Sequence, residues 1–181
     1  MTSWPALVDA HAGLVWQTIR RLLTHESDAA DCFQETFLAA FEAHRSGPVR
    51  HWPAYLIQVA THQAIDRLRR RTREQRHIDF VPDFNGIAGT SAPPPALAEE
   101  RELAERLRRA VAALPEDQAA VFWMTSFEPL SRAEIAAALG LTANHVGVLL
   151  HRARRALDTA LGPTAASPSP DSLSTAEELT R

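Results

Sequence analysis

The sequence predicts an all-α protein with two small helical domains, an N-terminal helical bundle and a C-terminal helix-turn-helix domain, joined by a flexible linker. Three observations support this prediction. Ala, Leu, Arg and Glu, which favour helices, dominate the composition. Apolar residues recur at spacings of three and four along most of the chain, which is the helical period. This periodicity stops in one segment near the middle, where Pro, Gly and Ser are frequent.

The N-terminal domain, residues 1–76, is predicted to contain three helices. An amphipathic helix covers residues 3–24, and a second helix covers residues 28–43 with its phenylalanines on one face. The Ser-Gly-Pro sequence at residues 46–48 breaks the chain. A third, longer helix begins near Trp52, where the following proline suits a first helical turn, and continues into an arginine-rich run.

The linker covers residues 77–95, and the C-terminal domain covers residues 96–161. One helix is predicted to begin at Ala96, and Pro115 opens the next. The apolar stripe of the first of these helices comprises Leu97, Leu103, Leu107, Ala110, Val111 and Leu114. Residues 162–181 are rich in Pro, Ser, Thr and Glu, so we expect a disordered tail.

Two short helices joined by a tight turn are predicted between Ser131 and Leu157. Ser131 and Glu134 have the spacing of a capping box, and Gly140 suits the left-handed residue that ends a helix. Thr142 can cap the second helix. The apolar stripe of that second helix comprises Val146, Leu150, Ala153 and Leu157. This pattern is typical of a DNA-binding helix-turn-helix, although an ordinary pair of packed helices with solvated arginines shows it too.

The distribution of charge is more informative than the net charge of −3. All 19 basic residues are arginine. Residues 67–76 hold six arginines and one glutamate, and residues 152–155 hold three more arginines. Two separate basic patches on a mildly acidic chain predict two contacts with a polyanion and leave other surfaces for protein partners.

Several kinds of site are not indicated by the sequence. The single cysteine, Cys32, excludes an internal disulfide and is expected to be a small core residue. His62 and Asp66 stand four residues apart but lack a third metal ligand at a recognisable spacing, so we expect no metal or other cofactor. No apolar run approaches membrane-spanning length and no signal pattern opens the chain, so we expect a cytoplasmic protein without membrane insertion.

Three segments together resemble an extracytoplasmic-function sigma factor of the sigma-70 family. They are DAADCFQETFLAAFEA at residues 28–43, YLIQVATHQAIDRLRRR at residues 55–71, and the helical region over residues 114–157. The resemblance implies a protein that is not an enzyme. It implies binding to the β′ and β subunits of core RNA polymerase, promoter recognition, DNA melting and transcription initiation, with an anti-sigma factor as a further candidate partner.

The resemblance assigns roles to residues in the first two segments. The residues matching the polymerase-binding positions are Asp28, Asp31, Gln34 and Glu35. Those matching the helix that opens and reads the minus-ten element are His62, Gln63, Asp66, Arg67, Arg69, Arg70, Arg71 and Arg73. Asp66 is a candidate for orienting an arginine. The family commonly has Arg-Asn where this chain has Thr61-His62, which leaves the preferred base open.

The third segment resembles the unit that reads the minus-thirty-five element. The matching residues are Asn144, His145, Gly147, Val148, His151, Arg152 and Arg155. Asn is suited to adenine and the methyl groups of Val to thymine, whereas the arginines suit phosphates. The commoner family pattern has Lys, Ser and Arg where this chain has Gly147, Val148 and Leu149, so fewer charged base contacts are expected.

Two other functions compete with this interpretation. A stand-alone helix-turn-helix regulator that never binds polymerase would explain residues 131–157 but not residues 28–43 or the first arginine run. A helical enzyme is the second alternative, but the chain has no Gly-rich phosphate loop and no Ser or Cys nucleophile motif.

Overall fold

The computed structural model describes residues 3–77 and 95–162, and the secondary structure of these residues is entirely helical, as predicted. The helices are α1 (Trp4–Leu22), α2 (Glu26–Ser46), α3 (Trp52–His77), α4 (Pro95–Ala113), α5 (Glu116–Phe127), α6 (Arg132–Leu139) and α7 (Ala143–Leu161). The predicted tail, apart from Gly162, and nearly all of the predicted linker lie outside the described residues.

Helices α1, α2 and α3 pack together around a buried apolar core. The core takes Val15 and Ile19 from α1, and Leu56 and Ile65 from α3. Cys32 of α2 is fully buried within it, which confirms the prediction of a core residue. Aromatic rings of α1 and α2 pack edge to face on the outer side of the α1–α2 contact. The ring centroids of Trp16 and Phe33 are 5.8 Å apart, and those of Trp4 and Phe41 are 5.1 Å apart.

The helix-turn-helix forms as its capping residues predict. The Ser131 hydroxyl accepts a hydrogen bond from the Glu134 N–H at 3.3 Å, and the Glu134 carboxylate accepts one from the Ser131 N–H at 2.7 Å. The Ser131 side chain and the Ser131 N–H lower the pKa of the Glu134 carboxyl. Gly140 is left-handed with φ of 67°, and the Thr142 hydroxyl accepts from the His145 N–H at 3.2 Å. The predicted apolar stripe of α7 is buried.

The predicted apolar stripe of α4 is wrong in its first half. Leu97 is 46% exposed and Leu103 is 49% exposed, whereas Val111 and Leu114 are buried. Burial on α4 is confined to its C-terminal half, where it contacts α3 and α7. Periodicity identifies the side of a helix that is apolar, but not how far along its length a neighbour extends.

The two predicted domains lie directly against each other. One buried cluster combines residues of α1, α2 and α3 with Val111 of α4, Trp123 of α5 and Leu157 of α7. In a second cluster, Ile57 of α3 joins Met124 and other residues of α5, α6 and α7. The sequence did not predict this contact, because two units on a flexible linker can pack or separate without any change in local pattern. The boundaries between domains stay a prediction.

No single helix within residues 3–77 and 95–162 combines the length and the apolar character needed to cross a bilayer. The pair α6 and α7 meets the length and composition requirement when taken together, but with a bend of 96° between the two helices.

Leu149→Arg should unfold the helix-turn-helix, because the leucine is 6% exposed and an arginine would be buried there without a partner. Loss of the leucine packing alone costs about 2–5 kcal/mol. Val148 is 39% exposed, so Val148→Arg is a matched control that should keep the stability of the parent protein. Thermal unfolding followed by circular dichroism compares the two variants. Equal melting temperatures would contradict the packing of Leu149.

Candidate nucleic-acid and protein interfaces

The acidic side of α2 faces the arginines of α3, and the two sets form ion pairs within the protein. Arg67 Nη2 lies 2.6 Å from Glu35 Oε1, and Arg67 Nη1 lies 3.8 Å from Asp31 Oδ2. Arg71 Nη1 lies 3.2 Å from Asp28 Oδ2. We call these five residues the α2–α3 seam. Three of the four predicted polymerase-binding residues therefore hold α2 against α3.

The seam is more than a set of surface ion pairs, since the Arg67 side chain is mostly buried. Burial acts to lower the pKa of Arg67, but the hydrogen bond and charge of Glu35, with Asp31 adding to them, raise it above its ordinary value. Beneath the seam, burial raises the pKa of the Cys32 thiol to about 11. The thiol is therefore neutral at physiological pH and is a packing group rather than a nucleophile.

The outer face of α2 is left to Gln34 and to an apolar side chain that the sequence analysis did not single out. Gln34 is exposed and forms no hydrogen bond among the described residues. Leu38, one turn further along, is 61% exposed, and Phe41 beyond it is partly exposed against Trp4. The signal lay in the helical period: Leu38 falls outside the stripe of Phe33, Phe37, Ala40 and Phe41 and follows Gln34 by four residues on the polar side of α2.

On α3, the predicted minus-ten residues differ widely in how accessible they are. His62 and Gln63 are half-buried, and the Gln63 Oε1 lies 2.9 Å from the Thr36 hydroxyl of α2. Thr61 is fully buried. Thr61 and His62 stand where the family commonly has Arg-Asn, and only His62 of these two reaches the surface. Asp66 is exposed and accepts a hydrogen bond from Arg69 at 3.3 Å, and its role at the minus-ten element stays a prediction.

The arginine run of α3 is mostly engaged inside the protein. Arg69 donates to the Ala112 carbonyl at the end of α4, at 3.2 Å, and to the Leu114 carbonyl between α4 and α5, at 2.8 Å. Arg70 and Arg73 are exposed and form no ion pair among residues 3–77 and 95–162. Of the five arginines predicted to hold DNA phosphates here, these two are the exposed ones without a carboxylate partner among the described residues, although Arg73 Nε donates to the Arg69 carbonyl at 3.3 Å.

The first turn of α7 projects polar side chains into solvent. Asn144 and His145 are exposed directly after the Thr142 cap, and Val148 follows on the same side. A methyl group added at Gly147 would meet only the Arg132 guanidinium, at 3.9 Å. Packing inside the protein therefore does not demand glycine at this position.

The second half of α7 presents a basic surface opposite its buried stripe. His151, Arg152 and Arg155 are exposed, as is Arg154 between them. None of the three arginines forms an ion pair within the described part of the chain. The predicted minus-thirty-five residues thus occupy one continuous outer face of α7, unlike the predicted minus-ten residues of α3.

No three His, Cys, Asp or Glu side chains come together as a metal site among the residues that the structure describes. His62 and Asp66 accordingly have no third ligand within that part of the chain. The arrangement is chemically suited to binding: an amide and an apolar side chain on α2, exposed arginines on α3, and a polar and basic face on α7.

Comparison with known families yields two matches on separate parts of the chain. The Sigma-70 region 2 family model matches residues 7–74, and the "Sigma-70, region 4" model matches residues 104–157. The first match covers most of α1, all of α2 and nearly all of α3. The second covers most of α4, together with α5, α6 and the larger part of α7.

Curated relatives match across most of this chain. The extracytoplasmic-function (ECF) RNA polymerase sigma factor SigL of Mycobacterium tuberculosis is 32% identical over 157 residues, covering 84% of this chain and 85% of SigL. The ECF sigma factor SigE of Mycolicibacterium smegmatis is 30% identical over 158 residues. That match covers 87% of this chain and 61% of SigE, so the chain spans less than two thirds of this relative.

Two solved structures share the fold. The structure of CnrH in complex with the cytosolic domain of CnrY matches with a TM-score of 0.55 and 23% identity, covering 87% of this chain and 86% of that one. The sigma factor RpoE in complex with the anti-sigma factor NepR from Bartonella quintana matches with a TM-score of 0.52 and 18% identity, covering 85% and 93%.

The α2–α3 seam predicts that Glu35 and Arg67 are energetically coupled. In a double-mutant cycle with Glu35→Gln and Arg67→Gln, urea unfolding should give an interaction energy of at least about 0.5 kcal/mol. Gln34→Ala is the matched control, because Gln34 is exposed beside Glu35 and should show no coupling to Arg67→Gln. A coupling energy near zero for the first pair would mean that the seam does not stabilise the α2–α3 contact.

Proposed function

The chain belongs to the extracytoplasmic-function family of RNA polymerase sigma factors, and from this membership we propose that it binds core RNA polymerase and directs promoter recognition, DNA melting and transcription initiation. The observation that carries the proposal is the presence of both sigma regions, in order, on one chain. A stand-alone helix-turn-helix regulator would account for α6 and α7 alone. It would leave the exposed apolar and amide face of α2 without a function.

The outer face of α2 is proposed as the polymerase-docking surface. Gln34 supplies both a donor and an acceptor there, and Leu38 supplies apolar area that desolvates on binding. Asp31 and Glu35 lie beside this face, so their carboxylates can bond a partner's arginine only by sharing or releasing Arg67. The β′ subunit is the proposed partner for this face, and the chain offers no residue assignment for β.

Reading of the minus-ten element is assigned to His62 and Gln63, with exposed Arg70 and Arg73 holding the phosphates. Arg67, Arg69 and Arg71 keep this helix in place through the seam and through the carbonyl groups before α5. Their direct use on DNA requires that these internal bonds break first.

Reading of the minus-thirty-five element is assigned to the first turn of α7. Asn144, His145 and Val148 face outward where a recognition helix meets base edges, and the open backbone at Gly147 permits close approach to DNA. His151, Arg152 and Arg155 follow on the same face and are assigned to phosphates. In this assignment the first turn of α7 supplies specificity and the second half supplies affinity.

Three further parts of the proposal follow from the same premise. The catalytic centre for RNA synthesis belongs to the polymerase, so the chain needs none. Because its two proposed partners, polymerase and chromosomal promoter DNA, are in the cytoplasm, the chain is proposed to act there. An anti-sigma factor is a candidate partner, supported by exposed Leu97 and Leu103 on α4 as apolar area for a protein contact.

Run-off transcription with core polymerase on a genomic promoter library tests the proposed function. Addition of the purified chain should produce transcripts from a defined subset of promoters that core polymerase alone does not start. A protein that binds such DNA tightly by itself but starts no transcript with core polymerase would instead be a stand-alone regulator.

Leu38→Ala and Gln34→Ala should each weaken binding to core polymerase without loss of helicity, because both side chains are exposed and neither supports the core. We expect about 1 kcal/mol or more for a residue at the centre of the contact. Co-purification with β′ measures the effect. Asp9→Ala, an exposed change on α1 outside this face of α2, is the control, and an equal effect of all three changes would show that this face is not the interface.

Asn144→Ala and Arg155→Ala should separate base reading from phosphate holding. Asn144→Ala should cost on the order of 1–3 kcal/mol on the preferred minus-thirty-five sequence and much less on scrambled sequences. Arg155→Ala should weaken all sequences alike and reduce the slope of affinity against salt by about 1.

Holoenzyme binding to promoter variants at several salt concentrations measures both changes. Arg109→Ala, an exposed arginine on α4 outside the proposed DNA face, is the control for general charge. Loss of sequence preference in Arg155→Ala, with preference kept in Asn144→Ala, would reverse the two roles.

A further inference from the structure

The side-chain amide of Gln63 on α3 is held by two buried groups of α2. The Thr36 hydroxyl lies 2.9 Å from Oε1 at the inner end of this amide, and the Cys32 sulfur lies 4.0 Å from the same atom. Both α2 residues are fully buried, whereas Gln63 is half-buried. The outer end of the amide forms no hydrogen bond among the described residues and is not enclosed by protein. One end of the amide is therefore fixed inside the protein while the other faces solvent.

The Thr36 hydroxyl has one proton and two oxygen neighbours. Its oxygen lies 2.8 Å from the Cys32 carbonyl oxygen, one turn earlier in α2, as well as 2.9 Å from Gln63 Oε1. A hydroxyl donates one hydrogen bond and a carbonyl oxygen only accepts. With oxygen at the inner end of the amide, one of these two short contacts has no proton between its oxygens.

The Cys32 thiol meets the same conflict. Burial raises its pKa to about 11, so the thiol keeps its single proton at neutral pH. Its sulfur lies 4.0 Å from the Ala60 carbonyl oxygen of α3 and 4.0 Å from Gln63 Oε1. Each of two donors with one proton thus faces two oxygens, and Gln63 Oε1 is one of the two oxygens in both cases.

Exchanging the two ends of the Gln63 amide removes both conflicts. The oxygen and nitrogen of an amide change places by a half-turn about the last side-chain bond, so the surrounding donors and acceptors decide which atom is inward. With the nitrogen inward, Gln63 donates to the Thr36 oxygen, and Thr36 donates to the Cys32 carbonyl. The thiol is left to the Ala60 carbonyl, and its sulfur is a weak acceptor for the second amide N–H. The amide carbonyl then faces outward.

We propose that Thr36 is a positioning residue that fixes Gln63 with its amide carbonyl outward, and that Gln63 thereby selects a base with an exocyclic amino group, adenine or cytosine, at one position of the minus-ten element. An outward carbonyl accepts a hydrogen bond from adenine N6 or cytosine N4. Guanine and thymine carry an oxo group at the corresponding place, which would meet the carbonyl oxygen to oxygen. The identity of the ligand rests on the proposed function, whereas the orientation of the amide does not.

The surroundings of Gln63 suit a base held beside its own phosphate. Arg70, two turns further along on the same side of α3, is exposed and can hold that phosphate. The Glu35–Arg67 pair of the α2–α3 seam lies one turn from Gln63 and holds the two helices together there. A fixed amide discriminates between bases more sharply than a rotating one, because a rotating amide offers either end to either kind of base.

Hydrogen exchange of side-chain amides tests the orientation on the free full chain. An inward nitrogen is shielded by α2, so the Gln63 amide protons should exchange with water at least about tenfold more slowly than those of exposed Gln34. Nuclear magnetic resonance measures both rates in one sample. Thr36→Val removes the hydroxyl and should bring the two rates together, whereas Thr36→Ser keeps it and should not. Equal rates for Gln63 and Gln34 in the parent chain would overturn the orientation.

Thr61→Val is the matched control for Thr36→Val. Thr61 is also fully buried, but its hydroxyl has no hydrogen-bond partner among the described residues, so this change removes a hydroxyl that does not hold Gln63. Thermal unfolding followed by circular dichroism checks that both valine variants are folded. Gln63→Ala, at a half-buried position, is a second variant that removes the outward carbonyl and leaves Thr36 in place.

Base discrimination tests the selection itself. Holoenzyme is bound to a single-stranded minus-ten oligonucleotide in which hypoxanthine replaces adenine, or uracil replaces cytosine, at one position at a time, so that an oxo group replaces an amino group. At one position this should weaken binding at least about tenfold for the parent, Thr36→Ser and Thr61→Val. The loss should be at most about threefold for Thr36→Val and Gln63→Ala. Fluorescence anisotropy measures the affinities.

The outcomes keep this selection apart from the proposed function. Equal discrimination by the parent and Thr36→Val would overturn the positioning role, and discrimination kept in Gln63→Ala would overturn selection by Gln63. A parent holoenzyme that ignores the amino group at every position would overturn it as well. A parent chain that starts no transcript with core polymerase would refute the proposed function, while the exchange rates would still decide the orientation of the amide.

Discussion

Helix α3 is packed from two sides at once, and the rest of the structure depends on this. Leu56 and Ala60 face the cluster shared with α1 and α2, whereas Ile57 faces the cluster built by α5, α6 and α7. A helix buried on two sides has only a narrow strip left for ligands. The proposed minus-ten surface is therefore limited to the half-buried His62 and Gln63 and to the exposed arginines further along α3.

The arginines of this chain serve two purposes that a sequence does not distinguish. Arg67, Arg69 and Arg71 are bonded to the protein itself, through carboxylates of α2 or through backbone carbonyls before α5. Arg152 and Arg155 on α7 form no ion pair among the described residues and face solvent. A guanidinium group binds a carboxylate, a carbonyl or a phosphate through the same fork of donors, so charge alone does not reveal which one it meets.

Features set by neighbouring residues could be predicted from the sequence. The capping box at Ser131, the left-handed Gly140 and the buried stripe of α7 follow from short-range geometry, and the structure has them. Features set by distant residues could not. Arg21 and Glu128 are 107 residues apart, and nothing in either local pattern marks them as partners.

The same distinction applies to the candidate sites, where some features follow from neighbouring residues and others depend on distant ones. Exposure of Asn144 and His145 follows from their place in the first turn of an amphipathic helix. The internal pairing of Arg67 with Glu35 depends on how α2 and α3 are placed side by side. The polymerase-binding and DNA-binding roles of the individual residues remain predictions, and the structure adds Leu38 to the residues that merit a test.

The burial of Cys32 makes it a natural reporter of local opening. Its sulfur lies under the α2–α3 seam, close to the Ala60 carbonyl and the Gln63 side chain. An alkylating reagent reaches the sulfur only when α2 moves away from α3, and the high thiol pKa keeps the unreacted group protonated between such events. The rate of alkylation therefore measures how often the pair of helices that carries the proposed polymerase and minus-ten contacts separates, without any label being introduced.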